Sequence, residues 1–117
     1  MQAIYSRNGQ TAGWLNHGVI YDRNNRYRAF ISGGVVYTYQ GRHLGRLDRG
    51  FFRDRQGHAV AFMHGAEGGP LPPIQEIAPI PPIPPIPPIP PIPPIAPLEP
   101  IGSLSWSMLD WEAFLSA

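Results

Sequence analysis

Between Ile80 and Ile95 the chain repeats Pro-Pro-Ile without a break, and from Leu71 to Leu104 every third residue is Ile or Leu. Proline holds its own φ in a narrow range, has no amide proton for a helix or sheet, and drives the residue before it to extended ψ. Both regular structures are thereby barred over this stretch, and polyproline II is what remains. That helix has three residues per turn, so Ile74, Ile77, Ile80, Ile83, Ile86, Ile89, Ile92 and Ile95 fall on one ridge, extended at either end by Leu71, Leu98, Ile101 and Leu104. At ~3.1 Å per residue a straight rod of this length spans roughly 100 Å. Collagen is excluded because glycine does not take every third place. A plain spacer is the common use of proline-rich tracts, but a spacer has no need of an isoleucine row. An exposed apolar row seeks cover, so the ridge is expected to pack, against other rods or in a groove of its own domain, and to serve as an oligomerisation ridge.

All 16 prolines lie between Pro70 and Pro100, which leaves the front of the chain free for sheet. Setting Ala3–Gly34 above Val35–Ala66 gives an ungapped internal match. Identical pairs include Tyr5/Tyr37, Gly9/Gly41, Gly13/Gly45, Gly18/Gly50, Asp22/Asp54, Arg23/Arg55, Ala29/Ala61 and Phe30/Phe62. Each unit reads as four short strands joined by turns. Gln2–Arg7, Thr11–Leu15, Val19–Asp22 and Arg26–Ile31 are the strands of the first; Val35–Gln40, Arg42–Leu47, Phe51–Asp54 and His58–Met63 are their counterparts. Asn8-Gly9 is the strongest hairpin signal, with φ > 0 expected at both residues of a type I′ turn. The fold class is thus all-β: residues 1–66 as a small antiparallel domain of two tandem repeats (3–34 and 35–66), residues 67–102 as a polyproline II rod, and residues 103–117 as a short amphipathic helix.

A domain of ~60 residues is marginal alone. Cysteine is absent, which rules out disulfides and Cys-based metal or redox sites, so oligomerisation is the remaining remedy. In the tail, Ser105 or Ser107 is placed to cap a helix running to about Leu115. Leu104, Met108, Trp111 and Leu115 then form one stripe, widened by Trp106 and Phe114. So short a helix is unstable by itself and is expected to dock within the assembly.

Charge divides in the same way. Nine Arg against Asp22, Asp48 and Asp54 give the segment 1–66 a net +6, whereas the segment 67–117 has no base and carries −5. Such a division is a statement about partners, including self-association. Arg23, Arg26, Arg28, Arg46, Arg49, Arg53 and Arg55, set among Trp14, Tyr21, Tyr37 and other aromatics, are candidate anion or nucleic-acid contacts. The repeated Asp-Arg pairs precede turns, where Asp binds local amides. Four histidines, His17, His43, His58 and His64, lack metal-ligand spacing, and no nucleophile elbow, P-loop or zincin motif occurs. No enzyme activity, cofactor or metal is expected. No apolar run reaches the ~18 residues of a membrane span, and Met1–Gln10 lacks a signal-peptide pattern, so a cytoplasmic protein without membrane contact is expected.

The frames Gly-x-x-x-Asp-Arg…Ala-Phe-x-x-Gly at Gly18–Gly33 and Gly50–Gly65, with Gly9, Gly13, Gly41 and Gly45, resemble the bacterial four-fold β-flower domain family. The resemblance covers about residues 1–66 and stops before the proline tract. It implies a β-rich homotetramer without established catalytic activity, and it assigns no functional residues. The resulting expectation is a non-enzymatic, self-assembling structural or binding protein, a tetramer by preference. Two alternatives stand beside it: a nucleic-acid-binding module using the Arg-rich sheet, and an adaptor presenting rod and tail to a partner protein.

Overall fold

Two kinds of turn alternate between Met1 and Ala66, and their difference shapes the molecule. A computed structural model describes all residues, Met1–Ala117. Its strands are β1 (Gln2–Ser6), β2 (Thr11–Asn16), β3 (Val19–Asp22), β4 (Tyr27–Ser32), β5 (Val35–Thr38), β6 (His43–Asp48), β7 (Phe51–Arg53) and β8 (Ala59–Phe62). Three of the links, His17-Gly18, Gly33-Gly34 and Arg49-Gly50, have both residues at positive φ. These are the type I′ connections.

At the opposite end the turns run through Gly9, Asn25, Gly41 and Gly57, each the single residue at positive φ. Asn8-Gly9 is therefore not the type I′ turn its composition suggests. Its Gly9 amide donates to the Ser6 carbonyl at 2.9 Å, and the strand pairing slips by one residue between Ile4 and Tyr5. The same slip follows at Ile20/Tyr21, Val36/Tyr37 and Phe52/Arg53. Turns and bulges thus recur every sixteen residues, one per hairpin. Each bulge bends and twists its strand, and four of them curl the sheet until β8 meets β1 through Tyr5–Phe62 and Ser6–Ala61. The result is a closed eight-stranded antiparallel barrel.

Strands of such a barrel would be expected to alternate buried and exposed, yet β3, β7 and β8 are buried at every residue. Both faces are covered. Ile4, Ile20, Val36 and Phe52 point into the main core with Leu44, Val60 and Ala61. Their sequence neighbours Tyr5, Tyr21, Tyr37 and Arg53 point the other way and are buried as well.

The proline segment supplies the outer cover. Residues 71–102 form neither helix nor strand, and they do not make a straight rod. The whole molecule measures 36 × 35 × 21 Å, and the segment bends around the barrel as a belt. The tail follows it: Ser105 and Ser107 bracket Ala59 in a short parallel bridge, and α1 (Trp111–Leu115) fills the end of the barrel beside the bulged turns. Asp110, not Ser105 or Ser107, caps this helix, accepting from the Ala113 amide at 2.8 Å. No helix is long and apolar enough to cross a membrane.

Candidate functional site

The belt keeps step with the barrel. Glu76 donates its backbone N–H to the Gly9 carbonyl at 2.9 Å, and Ser103 does the same to Gly57 at 3.0 Å. Between these ends the belt is fastened by outward side chains of the barrel. Tyr21 Oη donates to the Pro85 carbonyl at 3.1 Å, Tyr37 Oη to Pro94 at 3.0 Å, and Arg53 Nη1 to Ser103 at 2.8 Å. Donors sixteen residues apart thus meet acceptors nine residues apart, so each hairpin consumes three triplets of the belt. Geometry agrees. At ~3.1 Å per residue the belt from Ile74 to Ile101 is about 84 Å long, and a circle about 35 Å across has a circumference of about 110 Å. Three of four hairpins are passed over three quarters of the way round.

Among the belt residues, members of one every-third row face the barrel. Gln75, Ala78, Pro84, Pro87, Pro93, Ala96 and Glu99 belong to it and are partly buried. The isoleucines that precede this row face away. Ile74, Ile77, Ile80, Ile83, Ile86, Ile89, Ile92 and Ile95 are 91–99% exposed, and Leu71, Leu98 and Ile101 stand out in the same way. The groove in the molecule's own barrel is therefore taken by the prolines, and the ridge itself has no intramolecular cover.

Three histidines bond the belt and its continuation. His64 Nδ1 bonds Gln75 at 2.7 Å, His43 Nε2 bonds Glu99 at 2.6 Å, and His58 Nδ1 bonds Ser103 Oγ at 2.8 Å. His17 lies in the β2–β3 turn. Arg53 is the main fastening. Fully buried, it donates to the carbonyls of Gly57 (2.7 Å), Ser103 (2.8 Å) and Gly68 (2.8 Å), joining a turn to both ends of the belt. Asp48 stands 3.6 Å from its Nε, and its guanidinium lies 5.6 Å from the Phe51 ring centre. Burial lowers its pKa from the ordinary arginine value.

The other candidate arginines are spread over several tasks. Arg28 grips Glu112 of α1 with two parallel bonds of 2.8 and 2.7 Å and reaches Asp22 at 3.2 Å. Arg23 donates to the Thr11 carbonyl at 2.9 Å and lies over Trp14. Arg55 donates twice to the His43 carbonyl, and Arg49 pairs with Asp48 at 3.4 Å. Arg46 keeps a buried Nε without a partner, and Arg26 is exposed. Of the aromatic residues expected to stack bases, Trp14, Tyr21, Tyr37, Phe51 and Phe52 are buried, while Tyr27 is exposed and stands edge-on to the partly buried Tyr39.

The tail departs from its expected stripe. Trp111 and Leu115 enter the core, and Phe114, fully buried, stacks on Trp111 with ring centres 5.6 Å apart. Leu104 and Met108 precede the helix and are exposed on the single chain. Reading a serine as the cap starts the helix too early, because Asp110 offers a cap immediately before Trp111.

Two carboxyls clip belt and tail to the barrel. Glu76 accepts from the Thr11 amide at 2.6 Å, and this bond holds its carboxyl below the usual carboxylate range. Bonding to Arg28 does the same for Glu112, and bonding to Glu112 raises Arg28. Both carboxyls release their protons more readily folded than unfolded. Their contribution is complete above the unfolded Glu value of ~4.3 and is lost as pH falls through the lower folded values. Glu112 is two-thirds exposed, so its pair with Arg28 is worth at most about 1 kcal/mol. Thermal melts below pH 4 should show Glu76→Gln/Glu112→Gln and the parent converging, while at pH 7 the double variant melts roughly a few degrees lower. A constant difference across that range would contradict the clips.

A family model described as 4-fold beta flower protein matches residues 2–115. The match runs through the proline segment into α1, well past the span 1–66 covered by the resemblance in the glycine frames. No curated protein and no solved structure matches the chain. The chain belongs to the 4-fold beta flower family.

Proposed function

We propose that this β-flower protein is a non-enzymatic, self-assembling structural or binding protein whose copies meet through the isoleucine ridge of the belt. One observation carries the reading: eight isoleucines in register, each more than nine-tenths exposed, on a segment whose backbone is fixed to a barrel. Covering one Ile fully contributes roughly 1.5–3 kcal/mol, and the row repeats every ~9 Å, so that a second ridge can seat its isoleucines between them. The belt is already ordered on the barrel, which removes much of the entropic cost that a free proline chain would incur on association. Four copies are the number the resemblance implies. Four hairpins already surround the axis of each chain; the ridge supplies the contact between copies and does not by itself set their number. Duplication of a hairpin unit and polyproline II geometry in the belt are part of the same reading, since nine belt residues per hairpin suit a three-residue helical turn.

The test is solution mass of the full chain by light scattering, because removing the belt would also strip the outer face of the barrel. Four times the 12.9 kDa chain is the expected species. Replacing Ile80, Ile83, Ile86 and Ile89 by Ser should give a folded monomer, since these exposed side chains contribute nothing to the barrel. A parent protein that is monomeric at every concentration would overturn the proposal, as would an assembly that survives the four substitutions.

A further inference from the structure

Beside α1, between the β1–β2 and β3–β4 turns, the barrel end opens into a cleft of about 500 Å³. Three acids and three arginines line it, Asp22, Asp110, Glu112, Arg23, Arg26 and Arg28, and formal charge cancels. Their commitments do not. Asp22 Oδ1 accepts from the amides of Asn24 (2.9 Å) and Arg26 (3.1 Å), and its Oδ2 accepts from Arg28. Asp110 is engaged as the helix cap. Arg26, by contrast, makes no side-chain hydrogen bond or ion pair within the protein. Arg23 uses one nitrogen, on the Thr11 carbonyl and at 3.9 Å from Glu76. The unspent capacity of the cleft is cationic.

Glu112 shows what that capacity accepts. Its carboxylate sits in the Arg28 fork through two parallel bonds, the planar match that guanidinium groups make with carboxylates. Yet its side chain is 66% exposed, and its other neighbours are Asp22, a like charge on the same guanidinium, and Ser116 at the end of its own helix. It can leave by a rotation of its own side chain while Trp111 and Phe114 keep the helix in the core.

We infer that this cleft is a binding site for small carboxylates, in which the ligand takes the Arg28 fork from Glu112 and a second carboxylate or polar group reaches Arg26. Glu112 acts as a built-in competitor that covers the fork when no ligand is present. Because an exposed ion pair of this kind is weak, its competition lowers ligand affinity by about fivefold. The turns that frame the cleft also touch the belt, Arg23 beside Glu76 and Asn25 on the Ile83 carbonyl, but no isoleucine of the ridge lines it, and substitutions in the ridge therefore test self-assembly without altering the lining of the cleft.

Succinate is a suitable probe, added to the full chain while the Arg Nε–Hε NMR signals are followed, with sodium chloride and inorganic phosphate at matched ionic strength as comparisons. Saturable shifts of Arg26 and Arg28 are expected with succinate and not with chloride. Glu112→Gln should tighten binding about fivefold, Arg28→Lys should lose most of it by removing the fork while keeping the charge, and Arg26→Gln, at an exposed position, should weaken it at least threefold. Shifts that follow ionic strength alone would overturn the site. So would unchanged affinity in Glu112→Gln or in Arg26→Gln, whose folding is not at stake. Phosphate binding as tightly as succinate would overturn the carboxylate class.

Discussion

Replacing Arg53 by Met should destabilise the protein by roughly 3–5 kcal/mol, read from the urea midpoint at constant m-value. The loss does not come from a surface charge. Methionine fills the stem's volume but removes the donor that joins the carbonyls of Gly57, Gly68 and Ser103; Gly57 keeps the Ser103 amide, whereas the partly buried Ser103 carbonyl loses its partner, a loss of about 1–3 kcal/mol where water does not replace it. It also leaves Asp48 without the cation at 3.6 Å. Two further variants separate these effects. Arg53→Lys keeps the charge but cannot present a planar fork to three carbonyls, so it should recover only a minority of the loss. Arg53→Tyr restores the residue type that stands at the equivalent positions 21 and 37. Its hydroxyl can meet Ser103 as Tyr21 meets Pro85, so it should fall between Met and the parent. A cost below about 1 kcal/mol for Arg53→Met would show that belt and barrel are held mainly by other contacts.

The special status of Arg53 marks where the sequence stops being readable. β-Branched and aromatic runs place the strands to within about two residues, and Val19–Asp22 coincides with β3. Local chemistry suffices there because a strand declares itself within a few residues. Turn type is harder. Asn8-Gly9 has the dipeptide of a type I′ turn, yet Ser6 Oγ and the Gly9 conformation serve a bulged hairpin instead, and that choice depends on how strongly the whole barrel must bend. The two-unit match hides the sixteen-residue step because Tyr5, Tyr21 and Tyr37 are followed by Arg53, not by a fourth Tyr. The belt is least legible. Proline fixes each residue's own dihedrals but says nothing of a slow curvature imposed by contacts at every ninth residue. What the sequence does contain is the set of interruptions. Gln75, Glu76, Glu99 and Ser103, where polar residues replace the Pro and Ile of the triplet, are the places where the belt is tied. Arg26 and Arg28 can be selected as anion contacts from charge alone. Their cleft, however, is completed by a helix from the opposite end of the chain, in a segment without a single Arg.

Phe114→Ala should also cost a large amount, roughly 3–5 kcal/mol, although it lies close to the end of the chain. An eight-stranded barrel has an interior that side chains only just fill, and this one is lined with small residues where its neighbours would be large: Gly13, Ala29, Gly45 and Ala61 recur every sixteen residues. At Gly45 a Cβ would first collide with the Arg53 backbone carbonyl of the neighbouring strand and would also lie 3.1 Å from the Phe114 ring, so close strand approach and the ring from the tail together leave no room for a side chain there. Trp111 depends on the same ring. It stacks on Phe114 and meets Phe52 edge-on with centres 5.1 Å apart, and neither contact survives a vacated centre unchanged. The truncation should therefore remove near-UV dichroism from Trp111 as well as stability. Leu104→Ala and Met108→Ala, by contrast, should each stay within about 0.5 kcal/mol of the parent, because both side chains are exposed. If Phe114→Ala proved equally mild, the tail would be an ornament on a barrel that closes without it; a loss near about 4 kcal/mol would instead place the helix among the elements the barrel needs in order to have a core.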